Sequence, residues 1–253
     1  MTADFSQPQE ENIENQSQST WRTIDVLLIS TGIIAVFSLV ILLSRYIISS
    51  LPPDEIISND SISISIGLTL LECITLPMSV YILGLRRHKL SWSNIGLVPF
   101  SSEWLIKSIS LGIFAIPLSG LITLLIQFLL GQQFQNPQIE FLAPEGFSWY
   151  GAISMVILVG IVTPFAEEVY FRGVLYPWIR SHWGPTMGIL FSSFIFGIIH
   201  GNISIAGAAI ILGIILAWTF ERSNSLWPSI IIHTINNFTK IIILYAMLAY
   251  NIH

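Results

Sequence analysis

The chain has 253 residues, of which 53% are hydrophobic and 10% are charged, and its mean hydropathy is +0.73. Because soluble domains carry about 25% charged residues, this composition excludes a soluble globular protein and indicates a polytopic membrane protein. The net charge is −5 and no basic stripe is present, which excludes a nucleic-acid-binding protein. The single cysteine, Cys73, excludes an intramolecular disulfide.

Residues 1–22 form a polar segment rich in Gln, Asn, Ser and Glu, with no apolar run and no basic residue before Arg22. A segment of this composition cannot bury enough apolar surface to fold, so we predict a disordered tail. It also lacks the basic and apolar regions of a signal peptide, so no cleavage is predicted.

Apolar segments separated by Pro, Gly and Asn breakers follow this tail. A helix needs roughly 20 apolar residues to cross the hydrocarbon core, and seven segments reach or approach that length. They are 26–44, 62–84, 105–130, 149–166, 185–200, 203–220 and 228–249. The sequence therefore predicts an all-α fold, a polytopic transmembrane helix bundle with about seven to eight spans.

The distribution of Lys and Arg predicts the orientation of this bundle. If the amino terminus is cytoplasmic, the inner segments contain Arg22, Arg86, Arg87, Lys89, Arg172, Arg180 and Arg222. The outer segments then contain only Arg45, so a cytoplasmic amino terminus is predicted. Seven spans would place the carboxyl terminus outside, whereas an eighth crossing or a re-entrant stretch within 149–200 would place it inside.

Several ionisable side chains lie within the predicted spans, where each costs on the order of 2.5–3.5 kcal/mol and needs a reason. Lys107 lies near a helix end and can extend its ammonium group to the interface. Glu72 and Lys240 lie deeper, and no recognisable motif surrounds either residue. The remaining ones are concentrated in three short motifs in the carboxyl-terminal half: Glu167, Glu168, Arg172, His200 and His233.

The first motif contains two adjacent glutamates that should have different environments. Glu168 and Arg172 are spaced i, i+4 with the acid first, the favoured order for a helical ion pair. Glu167 lies about 100° round the helix and lacks that partner. We therefore expect Glu168 to have a structural role and Glu167 to have a chemical one, since acid/base pairs are built by such separation.

The other two motifs add neutral donors and acceptors. His200 ends the fifth apolar segment, while His233 and Asn237 are spaced i, i+4 and share one helix face in the last segment. Together with the glutamates they predict one converging polar site. The predicted depths of these residues in the membrane differ, so their side chains can meet only if the segment carrying Glu167 is long, is kinked at Pro164, or is re-entrant.

The three motifs resemble those of a known family. EEVYFRG (residues 167–173), FGIIH (196–200) and HTINN (233–237) match the EExxxR, FxxxH and HxxxN patterns of the CAAX prenyl protease 2 and bacteriocin-processing (Abi, CPBP) family of intramembrane proteases. Residues 222–230 and Ile95-Gly96-Leu97 also resemble segments of that family. The resemblance covers roughly residues 149–240, and it implies a division into amino-terminal helices at 23–147 and a catalytic core at 148–253.

The resemblance implies an endopeptidase in which Glu167 and His200 activate a water molecule that attacks the scissile carbonyl. His233 and Asn237 would hold the oxyanion, or His233 would hold a metal, while Glu168 and Arg172 would orient the other groups. Glu167, His200 and His233 are the candidate ligands if a divalent metal such as zinc takes part. No HExxH motif is present, so a metal-free mechanism is at least as consistent with the residues.

Two other function classes remain open at this point. A transporter or proton relay also uses buried Glu and His, but would distribute them across the membrane depth rather than in three motifs. A non-catalytic scaffold or bacteriocin-immunity protein is the stronger alternative, although intact motifs favour catalysis. The expected partners are the lipid bilayer and a membrane-associated protein or peptide substrate, which need not be prenylated.

Overall fold

The fold is seen in a computed structural model that describes residues 21–50, 61–132 and 138–250, without the side chains of 44, 45 and 47–50. Residues 1–20 of the predicted polar tail lie outside the described residues, as does Pro52-Pro53. All regular secondary structure in the described ranges is helical, so the predicted all-α class is confirmed.

The described part of the chain contains nine numbered α-helices, besides a three-residue α-helical segment, Arg86–His88. They are α1 (Thr23–Ser50), α2 (Ser61–Ser79), α3 (Ser102–Leu129), α4 (Ile139–Leu142), α5 (Trp149–Ile157), α6 (Thr163–Tyr170), α7 (Tyr176–Ile198), α8 (Ile203–Ser223) and α9 (Leu226–Ala249). Three π-helical turns join or extend them: Val80–Leu85 after α2, Leu158–Val162 between α5 and α6, and Phe171–Leu175 between α6 and α7. A short 3₁₀ turn spans Trp92–Ile95.

Six of the helical runs in the described ranges are long and apolar enough to cross a membrane. The predicted fourth and fifth spans lie in one stretch of 50 residues, Trp149–Ile198, which comprises α5, α6 and α7. The predicted break at Gly184-Pro185 interrupts the helix within α7, because Gly184 takes the non-helical φ 78° and ψ 171°, which only glycine adopts readily. The whole stretch is more than twice the roughly 20 residues that one crossing needs. The predicted number of spans is close, and the protein is an integral multi-pass membrane protein.

Helix α6, which carries the EExxxR motif, is surrounded by other helices. It packs against α2 and α9, while α8 packs against α3, α7 and α9. Small residues permit close contact between α7 and α8: a Cβ on Gly197 would lie 2.3 Å from Ile210 Cγ1, and one on Gly213 would lie 3.0 Å from Ser193 Cβ. Such small-residue contacts are typical of helix packing in membranes.

Hydrogen bonds between loops fix the start of α9. The Leu226 N–H donates to the Gly96 carbonyl at 2.7 Å, and Ser225 Oγ donates to the Val98 carbonyl at 2.7 Å. Gly96 itself has φ +95° and lies against the Phe220 ring, so a side chain there would be strained and would clash. The Ile95-Gly96-Leu97 segment therefore anchors the helix that presents His233.

Candidate active site

Helices α6 and α9 bring the first and third motifs into direct contact. Glu167 and Glu168 project from α6, and His233 projects from α9 between them. The segment carrying Glu167 meets the others because it is long. A π-helical turn precedes Pro164, and the helical stretch continues through this proline to the non-helical residue Gly184.

Glu168 is the centre of a fully buried polar network. Its Oε1 accepts a hydrogen bond from Arg172 Nη1 at 2.9 Å and lies 3.0 Å from His233 Nδ1. Arg172 Nη2 donates to the Gly213 carbonyl of α8 at 3.0 Å. The ion pair predicted from the i, i+4 spacing is present, and the network also ties α6 to α8 and α9.

Glu167 has a different environment, as its position on the helix predicts. Its carboxylate is buried, and Oε2 lies 3.5 Å from His233 Nε2, the nitrogen that does not face Glu168. None of the described residues donates a hydrogen bond to the Glu167 carboxylate. The carboxylate is therefore available for a water molecule or a substrate group.

Phe196 lies between the cationic and imidazole side chains of the site. Its ring contacts the His233 ring edge-on, with centroids 5.7 Å apart, and the Arg172 guanidinium lies 4.8 Å from its centroid. On the other side it contacts the His200 ring at 5.2 Å. No separate role was predicted for Phe196 from the sequence, although its position in the FGIIH motif was a signal that could have suggested one.

His200 lies near this cluster without a direct hydrogen bond to it. Its Nδ1 lies 2.8 Å from the Phe196 carbonyl, which can only accept, so Nδ1 carries a proton. Nε2 of the neutral ring is then an acceptor, and the side chain is only half-buried. Within the described residues, His200 and Glu167 are not hydrogen-bonded to each other.

Asn237 completes the predicted set on α9. Its Nδ2 donates to the Val159 carbonyl at 3.4 Å, and its Oδ1 accepts from Asn236 Nδ2 at 3.0 Å. Asn236 in turn accepts from Ser119 Oγ of α3 at 3.2 Å. Sequence reasoning missed Asn236 and Ser119; the adjacent amide in HTINN was a signal for the first, and nothing marked the second.

Glu72 also lies closer to the site than the sequence indicated. Cys73 Sγ lies 3.3 Å from Thr163 Oγ1, which fixes α2 against the face of α6 that carries Glu167 one turn later. Glu72, the residue before Cys73, therefore lies on the helix that packs against the helix of Glu167.

The candidate metal ligands do not form a ligand cluster. Among the described residues, no three His, Cys, Asp or Glu side chains are gathered closely enough to hold a metal ion. His233 Nδ1 is already directed at Glu168, and His200 lies beyond the Phe196 ring. Glu167, His200 and His233 thus do not fit a zinc site in this arrangement.

Residues 149–239 match the family described as type II CAAX prenyl endopeptidase Rce1-like. The resemblance predicted from the three motifs is thereby confirmed for the region from α5 to α9. All six site residues, from Glu167 to Asn237, fall within the matched region.

The chain is also similar to YdiL, a candidate membrane peptidase of Bacillus subtilis (strain 168). The two are 29% identical over 83 residues, which are 33% of this chain and 34% of YdiL, so the match spans about a third of that relative. No solved structure matches the chain. These similarities support a membrane peptidase of the CAAX-protease type.

Proposed function

We propose that this protein is an intramembrane endopeptidase that hydrolyses a peptide bond of a membrane-associated protein or peptide. The observation that supports the proposal is that the two adjacent glutamates have different hydrogen-bond partners. Glu168 is held by Arg172 and His233, while Glu167 has a carboxylate that no protein donor in the described residues occupies. A buried carboxylate left available in this way is suited to act as a general base.

In the first step, Glu167 accepts a proton from a water molecule that also donates its second hydrogen to His200 Nε2. The water oxygen attacks the scissile carbonyl carbon, and the carbonyl oxygen becomes an oxyanion. His200 can accept at Nε2 because its Nδ1 is committed to the Phe196 carbonyl. Positioning the water between two acceptors orients its lone pair towards the substrate.

The oxyanion is stabilised by Asn237 and His233. Asn237 offers an N–H of its side-chain amide, and His233 donates from Nε2 when its ring carries a proton on both nitrogens, with the Nδ1 proton directed at Glu168. Donors held in place before the reaction stabilise developing charge in a site from which water is excluded. The intermediate then collapses: the C–N bond breaks, and the proton on Glu167 passes to the leaving amine nitrogen.

A comparison of membrane proteomes tests this function. Cells with the wild-type protein are compared with cells that produce Glu167→Gln at equal level, and carboxyl-terminal peptides are quantified. We expect at least one membrane protein to lose a terminal peptide only with the wild type. A quenched fluorescent peptide carrying that cleavage site then serves as the reporter for purified protein. If the two proteomes show the same termini, the proposal is contradicted.

The second candidate function is a non-catalytic membrane scaffold or immunity protein. It is favoured by one observation: the Glu168–Arg172–His233 network ties α6, α8 and α9 together and would stabilise a scaffold equally well. The two functions differ for Glu167, which the scaffold does not need. A biological phenotype that survives Glu167→Gln but not Glu168→Gln would favour the scaffold. A transporter is less well supported, because the buried ionisable groups concentrate in one cluster.

A further inference from the structure

The helical run that leads to Glu167 leaves one backbone carbonyl without its helical donor. In the π-helical turn Leu158–Val162, the Thr163 N–H donates to the Leu158 carbonyl, five residues back. In that register the Val159 carbonyl would accept from residue 164, but Pro164 has no N–H. The Val159 carbonyl is therefore left free to accept a side-chain hydrogen bond.

The Asn237 amide uses this carbonyl. Helix α9 approaches the π-helical turn closely, since a Cβ on Gly160 would lie only 3.1 Å from Phe238 Cα. The approach brings Asn237 Nδ2 within 3.4 Å of the Val159 oxygen. Because a backbone carbonyl can only accept, Asn237 must present its NH₂ group to Val159 and its Oδ1 to the other side.

The orientation of the Asn237 amide determines the direction of two further hydrogen bonds. Asn237 Oδ1 needs a donor, so Asn236 must present its NH₂ group there, at 3.0 Å. Asn236 Oδ1 then faces Ser119, whose hydroxyl lies 3.2 Å from it and 3.0 Å from the Ile116 carbonyl of its own helix, so the single hydroxyl proton is shared between these two acceptors. Asn236 and Ser119 are both buried, so neither bond competes with bulk water.

We propose that Ser119 and Asn236 are positioning residues that hold the Asn237 amide in one orientation, with one N–H directed at Val159 and the other presented to the oxyanion of the reaction. Ser119 lies in α3, outside the region that matches the peptidase family. The inference rests on the proposed function for the role of the oxyanion. The hydrogen-bond chain itself can be tested without a substrate.

The first test uses protein labelled with ¹⁵N-asparagine in nanodiscs, with the side-chain amide signals assigned through Asn236→Asp and Asn237→Ala. We expect Ser119→Ala to shift the side-chain signals of both Asn236 and Asn237, and Ser119→Thr to restore them because it retains the hydroxyl. The matched control is Ser108→Ala, which removes a buried α3 hydroxyl that bonds only the Trp104 carbonyl of its own helix. Unchanged Asn237 signals in Ser119→Ala would overturn the inference.

The second test measures cleavage of the fluorescent reporter peptide. Losing one orienting hydrogen bond should lower kcat about threefold to tenfold in Ser119→Ala, with KM unchanged and with recovery in Ser119→Thr. In an Asn237→Ala background, Ser119→Ala should have no further effect, because the serine acts through the amide. Additive losses, or a loss in Ser108→Ala of the same size, would contradict the inference. If the wild type cleaves nothing, the proposed function fails while the spectroscopic result still decides the hydrogen-bond chain.

Discussion

His233 Nδ1 lies 3.0 Å from Glu168 Oε1, and its Nε2 lies 3.5 Å from Glu167 Oε2, so the two nitrogens of a single imidazole face two adjacent glutamates of one helix. Since Glu168 is also paired with Arg172, it accepts the Nδ1 proton, and Nε2 is directed at Glu167 and the space in front of it. The ring orientation thus follows from the ion pair on α6.

The first prediction concerns Glu167. Glu167→Gln keeps the size of the side chain and removes the base, so cleavage of the reporter should fall by at least about 100-fold. Melting temperature in detergent should remain close to that of the wild type, because no protein hydrogen bond to this carboxylate in the described residues is lost. Full activity in this variant would exclude Glu167 as the base.

The second prediction concerns metal dependence. Exhaustive chelation should leave turnover unchanged, because Glu167, His200 and His233 are not arranged as a ligand cluster. Elemental analysis of the purified protein measures bound metal beside the activity. Loss of turnover on chelation, with recovery on adding zinc, would instead show that the site rearranges around a metal.

The third prediction concerns the contact between α7 and α8. In Gly197→Ala, the new Cβ would lie 2.3 Å from Ile210 Cγ1 and 2.7 Å from the Ala206 carbonyl oxygen. Overpacking of this kind destabilises by about 1–3 kcal/mol, so the melting temperature should fall. The matched control is Gly120→Ala in α3, where a Cβ meets no heavy atom within 4 Å. Equal melting temperatures for the two variants would contradict the assigned contact.

Patterns in the sequence predicted those features that depend on local spacing. The apolar segments predicted the helices, and the i, i+4 spacing predicted the Glu168–Arg172 pair. The Gly184-Pro185 pair predicted the break within the 50-residue stretch, where Gly184 has a non-helical backbone.

Contacts between distant segments could not be predicted in the same way. Ser119 has no motif, and its role depends on how α3 packs against α9. The Val159 carbonyl lacks a helical donor only because the preceding turn is π-helical, and Pro164 alone does not determine that register. Glu72 received little weight because the contact that brings its helix to α6, between Cys73 and Thr163, joins residues 90 positions apart in the chain. The cytoplasmic orientation of the amino terminus remains a prediction from the Lys and Arg distribution.

The fourth prediction concerns the role of the Phe196 ring. Phe196→Leu retains an apolar side chain but removes the ring that contacts Arg172, His233 and His200. A swap that nearly conserves volume typically costs below about 1.5 kcal/mol, so the protein should remain folded. Turnover should fall more strongly, because both imidazoles lose the surface that orients them. The measurements are kcat for the reporter peptide and the melting temperature of the variant. A wild-type kcat would show that the Phe196 ring contributes to packing but not to turnover.

The last prediction concerns the ion pair itself. Glu168 and Arg172 are fully buried, and removing one partner leaves an uncompensated charge that costs about 3–5 kcal/mol. Glu168→Gln and Arg172→Met should therefore each lower the melting temperature strongly. The double variant should be more stable than either single variant, because no buried charge is left alone. Activity should stay low in all three, since His233 loses the carboxylate or its orientation.

The stabilisation of Glu168 and Arg172 by each other is measured from the melting temperatures and cleavage rates of the wild type, the two single variants and the double variant in one detergent. Glu103→Gln with Lys107→Met is the matched control, because that pair has the same i, i+4 spacing in α3 but is exposed. Exposed pairs contribute about 0–1 kcal/mol, so its single and double variants should all melt like the wild type. If the losses for Glu168→Gln and Arg172→Met simply add in the double variant, the two residues do not stabilise each other. The orientation of His233 would then have to come from α9 alone.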